Sequence, residues 1–276
     1  MRFLGAPEQS AVSVYKSSIS KMRSKDAKAR FIDATAEIEH DSKRYIAALA
    51  AGQLSLEEHF TLRAVTQDEM ARHYKNRFAA KDGPAHATYD QIKVRARGRC
   101  PLCGPRTVGT LDHYWPKNPH TSLAIHPMNL VPCCWVCNHR KGEFQPTRRD
   151  EELLHPYVDD LGTEVWLNCE IVEVGGGYAF LFEPLQPAAW SPTRFQRVRH
   201  HFHFFNLDEL YASQAANELE SIRYSLAELL AKDGAKGVGT HLEREARSRE
   251  RNEPNGWQAG MYRAMASSAK FYSGPF

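Results

Sequence analysis

The sequence predicts an α+β protein that is mostly helical and carries a small central module of two strands and a helix. Two observations predict it. Two Cys-x-x-Cys pairs, Cys100/Cys103 and Cys134/Cys137, bracket a stretch that is rich in extended and turn-forming residues. On both sides of that stretch, apolar residues recur at spacings of three and four, which is the period of an amphipathic helix.

The composition bounds the class of protein. The chain has 276 residues, of which 42% are hydrophobic and 25% are charged. These values are typical of a soluble globular protein, and a chain of this length can bury a core without disulfide staples. No apolar run is long enough for a membrane helix, and the N-terminus has no hydrophobic signal core. We therefore expect a cytoplasmic protein without a membrane partner. The net charge of +3 does not by itself indicate nucleic-acid binding.

Residues 1–85 are predicted to form a helical N-terminal region. Its third helix is expected to begin at the capping box Ser55-x-x-Glu58. The turn-forming residues Lys81-Asp82-Gly83-Pro84 then mark a boundary before the central module, residues 86–160. In the remaining residues, 161–276, a β-hairpin is expected around Gly175-Gly176-Gly177. A helical stretch from Trp190 should follow it, and then a long amphipathic helix that ends at Gly234.

The paired cysteines predict a structural zinc site. A Cys-x-x-Cys pair lets two thiolates of one turn reach the same ion, and four cysteines make a closed tetrahedral site with no position for substrate. The other two cysteines, Cys133 and Cys169, are expected to be small buried residues.

The polar residues between and just after the cysteine pairs favour a catalytic function. Leu111-Asp112-His113 is predicted to lie in one strand, Asn129 at the start of a returning strand, and Asn138 near the start of a helix. Asp112 and Asn138 offer the oxygen ligands that Mg²⁺ or Mn²⁺ prefers. His113 can accept a proton near neutral pH. By contrast, His120 and His126 fall in the loop between the strands and are expected at the surface.

Three strings of this sequence, read together, resemble the HNH endonuclease family, in its subset clamped by a four-cysteine zinc site. They are Cys-x-x-Cys, then Leu-Asp-His, then Asn-Leu-Val-Pro-x-Cys-x-x-Cys-Asn-x-x-Lys. The resemblance implies a ββα-metal fold and a metal-dependent nuclease. It implies that Asp112 and Asn138 bind the catalytic ion, that His113 is the general base, and that Asn129 braces the loop that orients His113. Many members of the family carry histidine where this chain has Asn138, so His139 stays open as an alternative ligand.

The reaction implied is hydrolysis of DNA phosphodiester bonds, with RNA not excluded, leaving 5′-phosphate and 3′-hydroxyl ends. Basic residues close to the module are expected to contact the nucleic acid: Lys93, Arg95, Arg97, Arg99, Arg140 and Lys141. From the resemblance, Lys141 could instead brace the site.

The general layout also loosely resembles the HNH subunits of Septu-type and retron-associated anti-phage systems. That likeness implies a bacterial defence effector with an ATPase partner. The alternative from another class is a non-catalytic zinc-ribbon protein that binds nucleic acid or serves as a scaffold.

Overall fold

The computed structural model describes residues 1–56 and 59–276. It divides into two units, Met1–Asp160 and Leu161–Phe276. Among the described residues it is mostly helical, with two small antiparallel sheets, which confirms the predicted α+β class. None of the described helices has both the length and the apolar character needed to cross a bilayer.

The first unit begins with helices whose ends follow from local side chains. They are α1 (Ala11–Ile19), α2 (Lys25–Asp33) and α3 (Thr35–Ala51). The Ser10 and Ser24 side chains cap α1 and α2 by accepting backbone N–H groups. Helix α3 ends at Gly52, whose left-handed backbone, with φ of 58°, favours glycine.

The prediction for the third helix is wrong about its start. Residues Leu54–Leu56 form a single 3-10 turn, and Glu58 lies outside the described residues. Helix α4 (Gln67–His73) begins later, at a capping box made by Thr66 and Glu69. The physical reason is tertiary, because the N–H groups of Phe60 and Leu62 bond to side chains of the central loop instead of to a helical turn.

A π-helical turn, Tyr74–Ala79, continues α4 directly, and α5 (His86–Arg95) follows. Strands β1 (Thr110–His113) and β2 (Leu130–Cys133) then pair antiparallel, with Asp112 opposite Val131. Helix α6 (Trp135–Lys141) comes immediately after β2. The predicted order of strand, strand and helix is therefore present.

One hydrophobic core joins the N-terminal helices to this module. It contains Tyr15, Ile38 and Phe78 from the helical region together with Leu111 and Leu130 from the two strands. The boundary predicted between residues 85 and 86 accordingly falls inside the first unit.

The second unit contains the expected hairpin, formed by β3 (Leu167–Val174) and β4 (Gly177–Pro184). Helices α7 (Pro192–Phe204), α8 (Leu207–Asn252), α9 (Trp257–Ser267) and α10 (Ala269–Tyr272) complete it. The expected helix end at Gly234 is confirmed. Gly234 has a non-helical, left-handed backbone, with φ of 68°, so the range of α8 covers two helical segments that meet at a kink there.

Candidate active site and four-cysteine cluster

The four predicted cysteines form one buried cluster. The sulfur atoms of Cys100, Cys103, Cys134 and Cys137 all lie within 4.8 Å of one another, and those of Cys103 and Cys134 are 4.0 Å apart. A disulfide needs about 2 Å, whereas the sulfurs of a tetrahedral site with Zn–S bonds of about 2.3 Å are roughly 3.8 Å apart. The donor set and its spacing fit a structural zinc ion.

Cys134 links this cluster to helix α6. Its sulfur accepts the N–H of Cys137 at 3.3 Å and so caps the first turn of the helix. Cys133 and Cys169 are buried and free and lie outside the cluster, as the sequence predicted.

A cleft of about 270 Å³ lies beside the sheet of the module. Its lining includes Asp112 and His113 from β1 and Asn138 from α6. Asp112 and His113 are adjacent in the sequence, whereas Asn138 is distant from them, and the return of β2 brings it beside the pair. The cleft is the candidate active site.

The imidazole of His113 is held by one of its nitrogens. Its Nε2 lies 2.8 Å from the backbone oxygen of Ala124. Because a carbonyl oxygen only accepts hydrogen bonds, Nε2 carries the proton and Nδ1 keeps its lone pair. Burial lowers the pKa of His113 to about 3, so the ring is neutral near pH 7. The fixed tautomer therefore leaves Nδ1 as the ring nitrogen that can accept a proton, and burial makes that nitrogen a weaker base.

The carboxyl group of Asp112 is buried beside one cation. Its Oδ2 lies 3.4 Å from the Nζ of Lys141, whose side chain is only 3% exposed. Lys141 also donates to the backbone oxygen of His113 at 2.6 Å. Burial raises the pKa of Asp112 above its ordinary value, and Lys141 opposes that shift. Lys141 thus braces the Asp112–His113 strand from inside the fold.

Asn129 is fully buried, and its amide is bonded on every side. Its Oδ1 accepts from the Tyr45 hydroxyl at 2.9 Å and from the Trp115 N–H at 2.7 Å. Its Nδ2 donates to the backbone oxygens of Trp115 at 2.9 Å and Leu123 at 3.1 Å. Leu123 directly precedes Ala124, the residue that holds His113. Asn129 therefore has the geometry of a positioning residue, without access to a reacting group.

The structure separates the two candidate ligands on α6. Asn138 is half-buried and lines the cleft, whereas His139 is exposed and is not part of its lining. Adjacent residues of a helix point about 100° apart, which explains why only one of them reaches the cleft.

Several of the basic residues expected on a nucleic acid are used inside the protein. Arg95 donates to the backbone oxygens of Leu4, Gly5 and Ala6, and Lys141 is buried as described. The side chain of Lys141 is only 3% exposed, so its predicted contact with nucleic acid is corrected to a bracing role. Arg95 is half-buried, and its contact with nucleic acid stays a prediction.

The remaining predicted contacts lie nearer the surface. Lys93 donates to the Gly109 oxygen at 3.3 Å, and Arg99 donates to the Gly104 oxygen at 3.1 Å. Both are half-buried, whereas Arg97 and Arg140 are exposed. The basic surface near the cysteine cluster is therefore smaller than predicted.

The cleft also contains side chains that the motif did not indicate. Tyr74, from the π-helical turn, and Lys117 and Glu143, from loops, line it together with Asp112. A π-helical turn is often found at functional sites, but no sequence pattern foretold this one. His120 and His126 are buried, not at the surface as expected, because their rings bond to Phe60 and Ser42 of the N-terminal region.

Comparison with known proteins finds one distant similarity. The chain is 27% identical over 225 residues to protein Ea31 of Escherichia phage lambda, a match that covers 76% of this chain and 75% of that protein. The name of that protein states no activity. No family model matches the chain, and no solved structure matches it.

Proposed function

We propose that the protein is a metal-dependent endonuclease of the HNH type. The observation that carries the proposal is the cleft shared by Asp112, His113 and Asn138, in which Ala124 holds Nε2 of His113 and leaves Nδ1 as the base. A protein that only binds nucleic acid has no need for a buried carboxyl group beside a neutral imidazole of fixed tautomer. The paired strands and α6 that surround them also support a ββα-metal module.

Asp112 and Asn138 would hold the catalytic ion. A carboxylate and an amide oxygen are the donor types that suit Mg²⁺ or Mn²⁺, and both residues line the same cleft. A bound divalent ion would neutralise charge on the phosphate and on the departing oxygen. Lys141 would keep Asp112 ionised and in place, because its ammonium lies 3.4 Å from that carboxyl group.

His113 would act as the general base. Its Nδ1 takes a proton from water, the water oxygen attacks phosphorus, and the bond from phosphorus to the 3′-oxygen breaks. The departing 3′-oxygen then takes a proton from solvent. The products are a 5′-phosphate and a 3′-hydroxyl end. Asn129 would position the base indirectly, since it bonds to Leu123, the residue before Ala124. We propose DNA as the substrate, with RNA as the other outcome of the test.

A plasmid nicking assay with Mg²⁺ or Mn²⁺ tests the proposal. His113→Ala should lower the cleavage rate by roughly 10²–10⁴-fold, the usual contribution of a general base. His139→Ala is the matched control, because His139 is exposed and does not line the cleft, and it should cut like the wild type. Zinc content and helical circular dichroism of both variants confirm folding. Undiminished cutting by His113→Ala would overturn the assignment.

The alternative hypothesis, a non-catalytic zinc-ribbon protein, makes a different prediction. It would be favoured if the protein bound one zinc ion and bound DNA or RNA but cut neither with Mg²⁺ or Mn²⁺. The role in anti-phage defence and the ATPase partner remain predictions from the loose resemblance. Adding a candidate ATPase to the nicking assay tests the partner.

A further inference from the structure

Two side chains of the cleft to which the sequence analysis assigns no role face each other. Tyr74 comes from the π-helical turn after α4, and Lys117 follows strand β1. Both line the cleft that contains Asp112 and His113. The Nζ of Lys117 lies 5.3 Å from the centre of the Tyr74 ring, within the range of a cation–π contact.

The Tyr74 ring is held firmly in this position. It packs 4.7 Å from the His113 ring and 5.6 Å from the Phe78 ring, measured between ring centres. The backbone of Gly83 closes on the π-helical turn, where a Cβ atom would come within 2.6 Å of the Arg77 oxygen. The two ring contacts therefore hold Tyr74 beside the cleft that it lines.

The polar ends of both residues make no hydrogen bond or salt bridge with the described part of the protein. Among residues 1–56 and 59–276, the Tyr74 hydroxyl has no hydrogen-bond partner and the Lys117 ammonium has neither a hydrogen bond nor an ion pair. Lys117 attracts the carboxyl group of Asp112 electrostatically, but the salt bridge of that carboxyl group is made to the buried Lys141. The cleft thus presents a phenol O–H and an ammonium group, which are both donors and lack an acceptor.

The acceptor that fits is a phosphate oxygen. A phosphodiester carries a negative charge on its two non-bridging oxygens, and charge-assisted hydrogen bonds to such oxygens are stronger than neutral ones. Burial also raises the pKa of Tyr74, so its hydroxyl stays protonated and can donate. These contacts would read the backbone and not the bases.

We propose that Tyr74 and Lys117 bind the non-bridging oxygens of a substrate phosphodiester and so position it beside Asp112 and His113. The proposal rests on the endonuclease function proposed above. It assigns part of the substrate site to the helical region before the module, through Tyr74.

The test measures binding without cleavage. The full-length protein is titrated into a short fluorescein-labelled DNA duplex, and separately into the RNA of the same sequence, in buffer without added divalent ions. Fluorescence anisotropy is read at several salt concentrations. The variants are Lys117→Met, which keeps the aliphatic stem, and Tyr74→Phe, which keeps the ring. Lys75→Met is the matched control, because Lys75 is an exposed lysine of the same turn and does not line the cleft.

We expect Lys117→Met to weaken binding roughly tenfold and to reduce the slope of log affinity against log salt by about one. Tyr74→Phe should weaken binding a few-fold with an unchanged slope, because it removes a neutral donor. Lys75→Met should leave both values close to those of the wild type. Preference for DNA or RNA identifies which phosphodiester is bound.

Two results would overturn the proposal. One is unchanged affinity for both Lys117→Met and Tyr74→Phe, with wild-type zinc content and unfolding temperature. The other is an equal loss in Lys117→Met and Lys75→Met, which would reduce the effect to bulk charge. Because this assay needs no cleavage, its outcome is independent of the nicking assay. Wild-type cutting with unaltered binding in the variants would refute this inference alone.

Discussion

Replacing Asn129 with alanine tests whether this residue supports the site or takes part in the chemistry. The substitution removes the bonds of its amide to the Tyr45 hydroxyl, to both backbone groups of Trp115 and to the Leu123 oxygen. A buried hydrogen bond contributes about 1 kcal/mol, and groups left unpaired in the interior cost somewhat more. We therefore expect the free energy of unfolding to fall by about 4 kcal/mol, a large share of the typical 5–15 kcal/mol.

The assay is urea unfolding followed by tryptophan fluorescence, alongside plasmid nicking. Asn138→Ala is the comparison, because Asn138 is half-buried at the cleft and its removal should cost less than about 1 kcal/mol while abolishing cleavage. Asn129→Ala should lose stability and cleavage together. If it lost cleavage but unfolded within about 1 kcal/mol of the wild type, Asn129 would act directly on the reaction and the positioning argument would fail.

Three further predictions follow from the first unit. Besides His113 in the cleft, burial lowers the pKa of three further histidines to about 4, 4 and 3: His73, His120 and His126. The unfolded chain takes up their protons below about pH 6.5, whereas the folded protein does not, so stability is complete above that pH and is lost as the pH falls towards 4. Thermal unfolding should show that the free energy of unfolding at about pH 5 is lower than at about pH 7 by on the order of 2 kcal/mol per histidine. Cys103→Ser should reduce bound zinc and the unfolding temperature, whereas Cys133→Ser should keep the metal, as measured by elemental analysis. The isolated module, residues 86–160, should fail to fold by circular dichroism, because its loop is bonded to the N-terminal region.

The local parts of the site could be predicted from the sequence. Three features of the site are visible in short stretches of sequence. They are the spacing within each cysteine pair, the Asp112-His113 pair, and the asparagine after the second cysteine pair. Each of these depends on a turn or a strand whose geometry is short-range. The structure brings the four sulfurs together and places Asp112, His113 and Asn138 along one cleft, as that reasoning expected.

The parts that depend on tertiary contacts could not be predicted in the same way. Basic residues near the candidate site are expected to contact nucleic acid, but the backbone oxygen of His113 binds Lys141 inside the fold, and the backbone oxygen of Leu4 accepts from the half-buried Arg95. Tyr74 lies far from the motif in sequence and reaches the cleft through a π-helical turn, for which no residue pattern is diagnostic. The third helix does not begin where it is expected, because the N–H groups of Phe60 and Leu62 bond to loop side chains.

Helix α6 shows how the cysteine cluster and the candidate active site depend on each other. Its seven residues, Trp135–Lys141, include the cluster residue Cys137, the cleft residue Asn138 and the buried brace Lys141. A helix this short is not stable by itself in water, and the sulfur of Cys134 caps its first turn. Loss of zinc should therefore displace Asn138 and Lys141 together. Under the proposed function, removing zinc should abolish cleavage even in excess Mg²⁺, although no cysteine of the cluster lines the cleft.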